Sequence, residues 1–146
     1  MENIGIDILL IEDNSNDAEL AIAALQKNDV AKRIVHLKDG EVALDFLFGK
    51  GKYKGRNTDN KPKVILLDLK MPKVSGLEVL EQLTHNPLTQ KIPVVVLTSS
   101  KEHPDVEKAY TLGANSYIVK PVDFENFRKV VNELGIYWLV FNQPLV

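Results

Sequence analysis

No cysteine occurs among the 146 residues, which excludes disulfides, zinc–thiolate centres, iron–sulfur clusters and a cysteine nucleophile. Long apolar stretches are missing as well. Runs such as residues 8–11 and 136–141 fall far short of the roughly 20 residues that span a bilayer. The opening Met1-Glu2-Asn3-Ile4 has neither the basic start nor the apolar stretch of a secretory signal, so the expected location is the cytoplasm. Neither sign of charge dominates: 18 Lys+Arg against 20 Asp+Glu leave −2, without the basic bias of a dedicated nucleic-acid binder. His36, His85 and His103 are scattered without metal-ligand spacing. What is present is ordinary, 45% hydrophobic and 26% charged residues, which argues against disorder and suffices for one buried core. Residues 1–146 are therefore expected to form a single domain.

Four segments share one design, a compact apolar run ending abruptly in polar residues. They are Ile8-Leu9-Leu10-Ile11 before Glu12-Asp13, Val64-Ile65-Leu66-Leu67 before Asp68, Val94-Val95-Val96-Leu97 before Thr98-Ser99-Ser100, and Tyr117-Ile118-Val119 before Lys120-Pro121. Continuous apolar runs, rather than alternation, predict strands covered on both faces, as in parallel sheets. A weaker run, Ile34-Val35-His36-Leu37, makes a fifth. Helical patterns fill the gaps: Ala18, Ala21, Ile22 and Leu25 form one stripe, and Val42, Ala43, Phe46 and Leu47 follow Asp39-Gly40. Ser75-Gly76-Leu77-Glu78 has capping-box spacing, and Pro104 suits a first helical turn. Asp123 is placed to cap a last helix whose apolar positions are Phe124, Phe127, Val130, Val131 and Leu134. Five strand–helix alternations predict an α/β fold with a five-stranded parallel sheet and helices on both faces. Residues 49–63 read as a flexible basic loop inserted before the third strand, and residues 135–146 as an apolar extension. The basic loop alone does not make a nucleic-acid site, since solvated lysines on a loop are usual.

In open α/β sheets ligands sit beyond the carboxyl ends of the strands, at the switch in strand order. If that order is 2-1-3-4-5, a flavodoxin-like doubly wound arrangement, Asp13 and Asp68 face each other at the switch, and Thr98 and Lys120 arrive from the next two strands. Two like charges about 4 Å apart repel by roughly 4 kcal/mol at an effective dielectric of 20. A hard divalent cation relieves this, and an all-oxygen ligand set favours Mg²⁺ over zinc. Such a site suits phosphoryl transfer, with Asp68 as a possible nucleophile, Asp13 on the metal beside Glu12, and Lys120 and Thr98 on phosphoryl oxygens. Two other readings lose ground. A dehalogenase-type phosphatase wants a second acid two residues after the nucleophile, where this chain has Lys70. A flavodoxin-like binder wants a hydroxyl-rich phosphate loop, where this chain has Glu12-Asp13-Asn14.

Together the motifs Ile11-Glu12-Asp13-Asn14, Leu67-Asp68-Leu69-Lys70-Met71-Pro72 with Ser75-Gly76, Leu97-Thr98-Ser99, Gly113-Ala114 and Tyr117-Ile118-Val119-Lys120-Pro121 resemble the receiver domain of two-component response regulators, over roughly residues 6–134. The inserted loop and the aromatic Tyr137-Trp138-Leu139 tail are similar to the cyanobacterial phytochrome response regulators. The resemblance implies that Asp68 accepts a phosphoryl group from a sensor histidine kinase, a phytochrome among the candidates. It implies that Asp13, Asp68 and the Lys70 backbone carbonyl hold Mg²⁺ while Glu12 acts through water. It also implies that Lys120 contacts the phosphoryl group and that Thr98 and Tyr117 form a switch pair, with Tyr117 as a plain core aromatic the alternative. The protein would then be a signalling module, catalysing only its own phosphorylation and dephosphorylation. With no output domain following in the sequence, output is expected through a partner surface, specifically a homodimer built on the last strand, last helix and tail. A cis Lys120–Pro121 bond is expected where the chain turns toward the crevice.

Overall fold

The computed structural model describes residues 5–27 and 31–144; Met1-Glu2-Asn3-Ile4 and the last two residues of the 135–146 extension lie outside them. Five strands, β1 (Ile8–Ile11), β2 (Ile34–Leu37), β3 (Val64–Leu67), β4 (Val94–Thr98) and β5 (Ser116–Val119), alternate with five helices. These are α1 (Ser15–Gln26), α2 (Gly40–Phe48), α3 (Gly76–Thr84), α4 (His103–Thr111) and α5 (Phe124–Ile136). All pairings are parallel and the order is β2-β1-β3-β4-β5, the doubly wound α/β sheet expected from the sequence.

Strand parity splits the core in two. Leu9, Ile11, Ile65, Leu67, Val94 and Val96 face one layer with Ala43 and Phe46 of α2, Val79, Leu80 and Leu83 of α3, and Ala109 of α4. Ile8, Leu10, Val64, Leu66, Val95 and Leu97 face the other, with Ala18, Ala21, Ala24 and Leu25 of α1 and Phe127, Val131 and Leu134 of α5. Burying each such aliphatic side chain contributes about 1.5–3 kcal/mol, which is why the strand sequences are apolar without alternation.

The helix starts follow their caps. Asn14 accepts from the Asp17 N–H and Asp39 from the Val42 N–H. Ser75 and Glu78 complete the capping box, and Asp123 accepts from the Glu125 N–H. Phe124 corrects the predicted stripe. It is 61% exposed, in the first turn of α5 directly after the Asp123 cap, whereas Phe127, Val131 and Leu134 further along are buried. Residues 49–63 are also less free than a flexible loop. A short 3₁₀ turn (Gly51–Tyr53) sets Tyr53 edge-on against Phe46 with ring centroids 5.1 Å apart. The Arg56 guanidinium lies 3.9 Å over the same Phe46 ring and donates to the Phe46 and Asn60 carbonyls, so an aromatic and cation–π clamp pins the loop to α2. After α5 the chain continues into a π-helical turn (Tyr137–Phe141). Among the described residues no helix is long and apolar enough to cross a membrane.

Gly76 is the tightest point of the β3–α3 turn. Its N–H donates to the Leu69 carbonyl at 2.8 Å. A β-carbon there would overlap the Asp68 carbonyl oxygen and approach the Leu69 Cα to 2.6 Å, both backbone atoms with little room to yield. Gly76→Ala is therefore expected to cost about 1–3 kcal/mol, the range for overpacking. Gly5→Ala, where a β-carbon meets nothing within 4 Å, is expected to stay within about 0.5 kcal/mol of the parent. Chemical denaturation midpoints of the two variants check this, and equal midpoints would contradict it.

Candidate functional site

The sheet register builds the site. Ile11 pairs with Leu67 and the Asp68 N–H donates to the Ile11 carbonyl at 3.1 Å, so the acidic residues that follow β1 and β3 emerge side by side. Carboxylate oxygens of Glu12, Asp13 and Asp68 lie within 4.8 Å of one another. Glu12 and Asp68 are buried, at 3% and 7% exposure, whereas Asp13 is exposed at the rim. Lys70, two residues past Asp68, is exposed in the β3–α3 turn.

Lys120 supplies the opposing charge. Its Nζ lies 2.7 Å from Glu12 Oε1, 2.8 Å from Asp17 Oδ2 and 3.6 Å from Asp68 Oδ2. Burial works against the ammonium, but Asp17, Glu12 and Asp68 outweigh it and hold the Lys120 pKa above its ordinary value. Glu12 shows the opposite balance: burial, reinforced by the nearby Asp68, pushes its carboxyl up to about 7 in spite of Lys120. Glu12 is further fixed by the Asn14 N–H, which donates to its Oε2 at 3.2 Å. The His36 ring donates from Nε2 to the Glu12 carbonyl at 2.8 Å, a structural role for that histidine. Asp68 Oδ1 is shielded from solvent and has no hydrogen-bond partner among the described residues. A buried carboxylate oxygen with an unused acceptor is costly, and here it points to a ligand: the all-oxygen set of Glu12, Asp13 and Asp68 fits a hard divalent cation.

On the other side of Asp68, Thr98 is fully buried at the end of β4 and its Oγ1 accepts from the Ser100 N–H at 3.4 Å. Ser100 is itself a hub. Its hydroxyl donates to Asp105 in α4, and its carbonyl accepts from the Tyr117 hydroxyl at 2.7 Å. The Tyr117 N–H in turn donates to the Tyr110 hydroxyl at 3.1 Å. Burial, with the Asp105 and Asp68 charges, raises the Tyr117 phenol pKa in spite of that bond to Ser100, keeping it a donor. All peptide bonds among the described residues are trans, which corrects the cis Lys120–Pro121 expectation. Lys120 reaches the crevice without it, because its own N–H is held on the Thr98 carbonyl at 2.7 Å, continuing the β4–β5 ladder.

The structure thus gathers Glu12, Asp13, Asp68, Thr98 and Lys120 around one crevice and sets Tyr117 behind Ser100. It also adds three residues that the sequence did not single out. Asp17 sits in the first turn of α1, where an acidic residue reads simply as a partner for the helix dipole. Ser100 and Asp105 read as a loop serine and a first-turn acid for the same reason.

The Glu12 environment has a measurable consequence in metal-free protein. In the unfolded chain Glu12 ionises near its ordinary 4.5, while in the native state it keeps its proton up to about 7. Over that window the native state binds more protons, so stability falls as pH rises. Glu12→Gln, which stays neutral in both states, is expected to flatten this decline when unfolding free energies in EDTA are compared between pH 4.5 and 7. A parent and variant with parallel pH profiles would contradict it.

Comparison with known proteins agrees with this geometry. Residues 8–132 match the family model described as the response regulator receiver domain. The chain is 41% identical over 136 residues to the probable methanogenesis regulatory protein FilR2 of Methanothrix harundinacea, covering 93% of this chain and 85% of that protein. It is 37% identical over 132 residues to response regulator Rcp1 of Synechocystis, covering 90% and 88% of the two chains. The Mn²⁺-bound structure of Rcp1 is similar with a TM-score of 0.89 at 35% identity, over 97% of this chain and 99% of that one. The phosphorylated cyanobacterial phytochrome response regulator RcpA gives a TM-score of 0.90 at 33% identity, over 98% of this chain and 100% of that one. Relatives of this kind put the chain among phosphorylation-based two-component signalling proteins rather than typical enzymes.

Proposed function

This chain belongs to the response regulator receiver family, and from that premise we propose that it takes a phosphoryl group from a sensor histidine kinase onto Asp68 in a Mg²⁺-dependent step. The observation that carries the reading is the buried Asp68 Oδ1 without a partner, set among Glu12, Asp13 and Lys120. An Asp68 carboxylate oxygen forms the new P–O bond while the P–N bond to the kinase histidine breaks, and the imidazole leaves with the bonding pair. The Asp13 and Asp68 carboxylates and the Lys70 backbone carbonyl would hold the metal directly, with Glu12 acting through water. Bound there, Mg²⁺ neutralises charge on the transferring group. The Mn²⁺-bound structure of Rcp1 supports a divalent site of this kind. Lys120 balances the phosphoryl oxygens from the opposite side, and Thr98 donates to one of them. Water later removes the group, so the protein catalyses its own dephosphorylation.

Tyr117 acts as the switch with Thr98. Its hydroxyl is anchored on the Ser100 carbonyl, two residues from Thr98, so drawing Thr98 toward the phosphoryl group carries the anchor of Tyr117 with it. The likeness to RcpA and Rcp1 favours a phytochrome-linked kinase as the donor. Residues 1–146 are read as one receiver unit, with the basic loop of residues 49–63 clamped to α2 and, within the extension of residues 135–146, the π-helical turn Tyr137–Phe141 prolonging α5. Nothing in this reading calls for nucleic acid or membrane as a partner.

Incubation with acetyl phosphate and Mg²⁺ followed by intact-mass measurement tests the assignment. One phosphoryl adduct is expected, abolished by EDTA and absent in Asp68→Asn. Undiminished labelling of Asp68→Asn would move the acceptor elsewhere.

Output is read through a homodimer on β5, α5 and the tail. Trp138 and Leu139 pack on the α1/α5 core, whereas Tyr137, Val140 and Phe141 are 51%, 60% and 74% exposed just past the end of α5, and Val119, Val122 and Phe124 are exposed at its start. Exposed apolar residues clustered in one turn, as in the tail, mark a contact. Sedimentation is expected to show a dimer for the parent and a monomer for the double variant Val140→Asp/Phe141→Asp, which spares the Trp138 packing. A parent that stays monomeric at high concentration, with and without acetyl phosphate, would remove the dimer.

A further inference from the structure

The Lys120 ammonium has three protons and three carboxylate neighbours, but the neighbours are not equivalent. Its short contacts go to Glu12 at 2.7 Å and to Asp17 at 2.8 Å, whereas Asp68 is 3.6 Å away. Glu12 belongs to the acidic cluster itself. Asp17 does not: it comes from the first turn of α1, is outside the carboxylate cluster, and keeps 31% of its side chain exposed while the Lys120 side chain is 9% exposed. A residue outside the acidic cluster therefore holds one of the short bonds of the cation that faces the acceptor.

We propose that Asp17 is a positioning residue that parks Lys120 toward α1 and so restrains phosphorylation of Asp68. This inference rests on the reading of Asp68 as phosphoacceptor. Two physical effects act in the same direction. Asp17 competes with the incoming phosphoryl group for the same ammonium, and a charge-assisted bond must be shared or given up before Lys120 can close the remaining distance. Asp17 also adds a negative charge at the crevice, which opposes the approach of an anionic donor. Phosphorylation replaces the single Asp68 charge by an acyl phosphate carrying about −1.5 to −2, which draws the ammonium away from Asp17. The Asp17–Lys120 tie joins the first turn of α1 to the end of β5, so the pull also loosens a contact between those two elements.

The test measures the rate of adduct formation with acetyl phosphate and Mg²⁺ for the parent, Asp17→Asn, Glu19→Gln and the same Asp17 change on a Lys120→Met background. Glu19 lies two residues further along α1, is exposed and carries the same charge, so its removal controls for net charge alone. Asp17→Asn is expected to accelerate labelling about two- to fivefold, the range that a partly exposed ion pair supports, while Glu19→Gln leaves the rate unchanged. On the Lys120→Met background the Asp17 gain is expected to disappear, which a role in merely capping α1 does not predict. A rate equal to or below that of the parent in Asp17→Asn, or a gain that survives without the lysine, overturns the proposal while leaving Asp68 as acceptor. Absence of any adduct in the parent overturns both readings.

Discussion

The Lys120 ammonium is the interaction on which the rest of this arrangement depends. Glu12 and Asp68 are carboxylates that solvent barely reaches, and parallel pairing of β1 with β3 leaves them no choice but to emerge together. Repulsion between such neighbours amounts to roughly 4 kcal/mol at 4 Å in a medium of effective dielectric 20. One cation, itself nearly buried and touching Glu12, Asp17 and Asp68, offsets part of that cost, while burial first and the Asp68 charge second still hold the Glu12 pKa up at about 7. The residual negative charge and the unsatisfied Asp68 oxygen make the crevice receptive to a divalent cation and, with it, to a phosphoryl group.

The same constraint explains why the crevice communicates with the surface. The groups that face Asp68 are not free side chains but ends of packed elements. Thr98 closes β4, Ser100 ties that end to α4 through Asp105 and to β5 through Tyr117, and Lys120 ties β5 to α1 through Asp17. Two hydrogen-bonded routes thus leave the site in different directions. One leads to α4 and β5, the other to α1.

Much of the fold was legible in the chain because both faces of the sheet are covered. Two buried faces require uninterrupted apolar runs, and these runs stand out at 8–11, 64–67 and 94–97 even without alternation. Abrupt polar endings at Glu12, Asp68, Thr98 and Lys120 mark the carboxyl edge, where open α/β sheets place their chemistry. Phe124 was misplaced for a physical reason: helical periodicity assigns a residue to a stripe but does not say whether the helix at that turn still lies over the sheet. The loop of residues 49–63 reads as flexible because nothing in its local pattern marks a packed element, while the clamp of Tyr53 and Arg56 on Phe46 joins it to a residue of α2.

The sequence alone determined which side chains stand at the strand ends, because local hydrophobic pattern fixes where each strand stops. It determined the chemistry of the crevice too, since strand order and register then leave few ways to arrange three acids, a hydroxyl and an ammonium. The tertiary structure alone decided that Asp17 reaches Lys120, that Ser100 bonds Asp105, and that Trp138 packs inward while Phe141 faces out. Those pairings join elements distant in the chain or depend on the direction in which a helix leaves the sheet. Neither is carried by local periodicity, because a side chain's partner is set by where packing brings the other element.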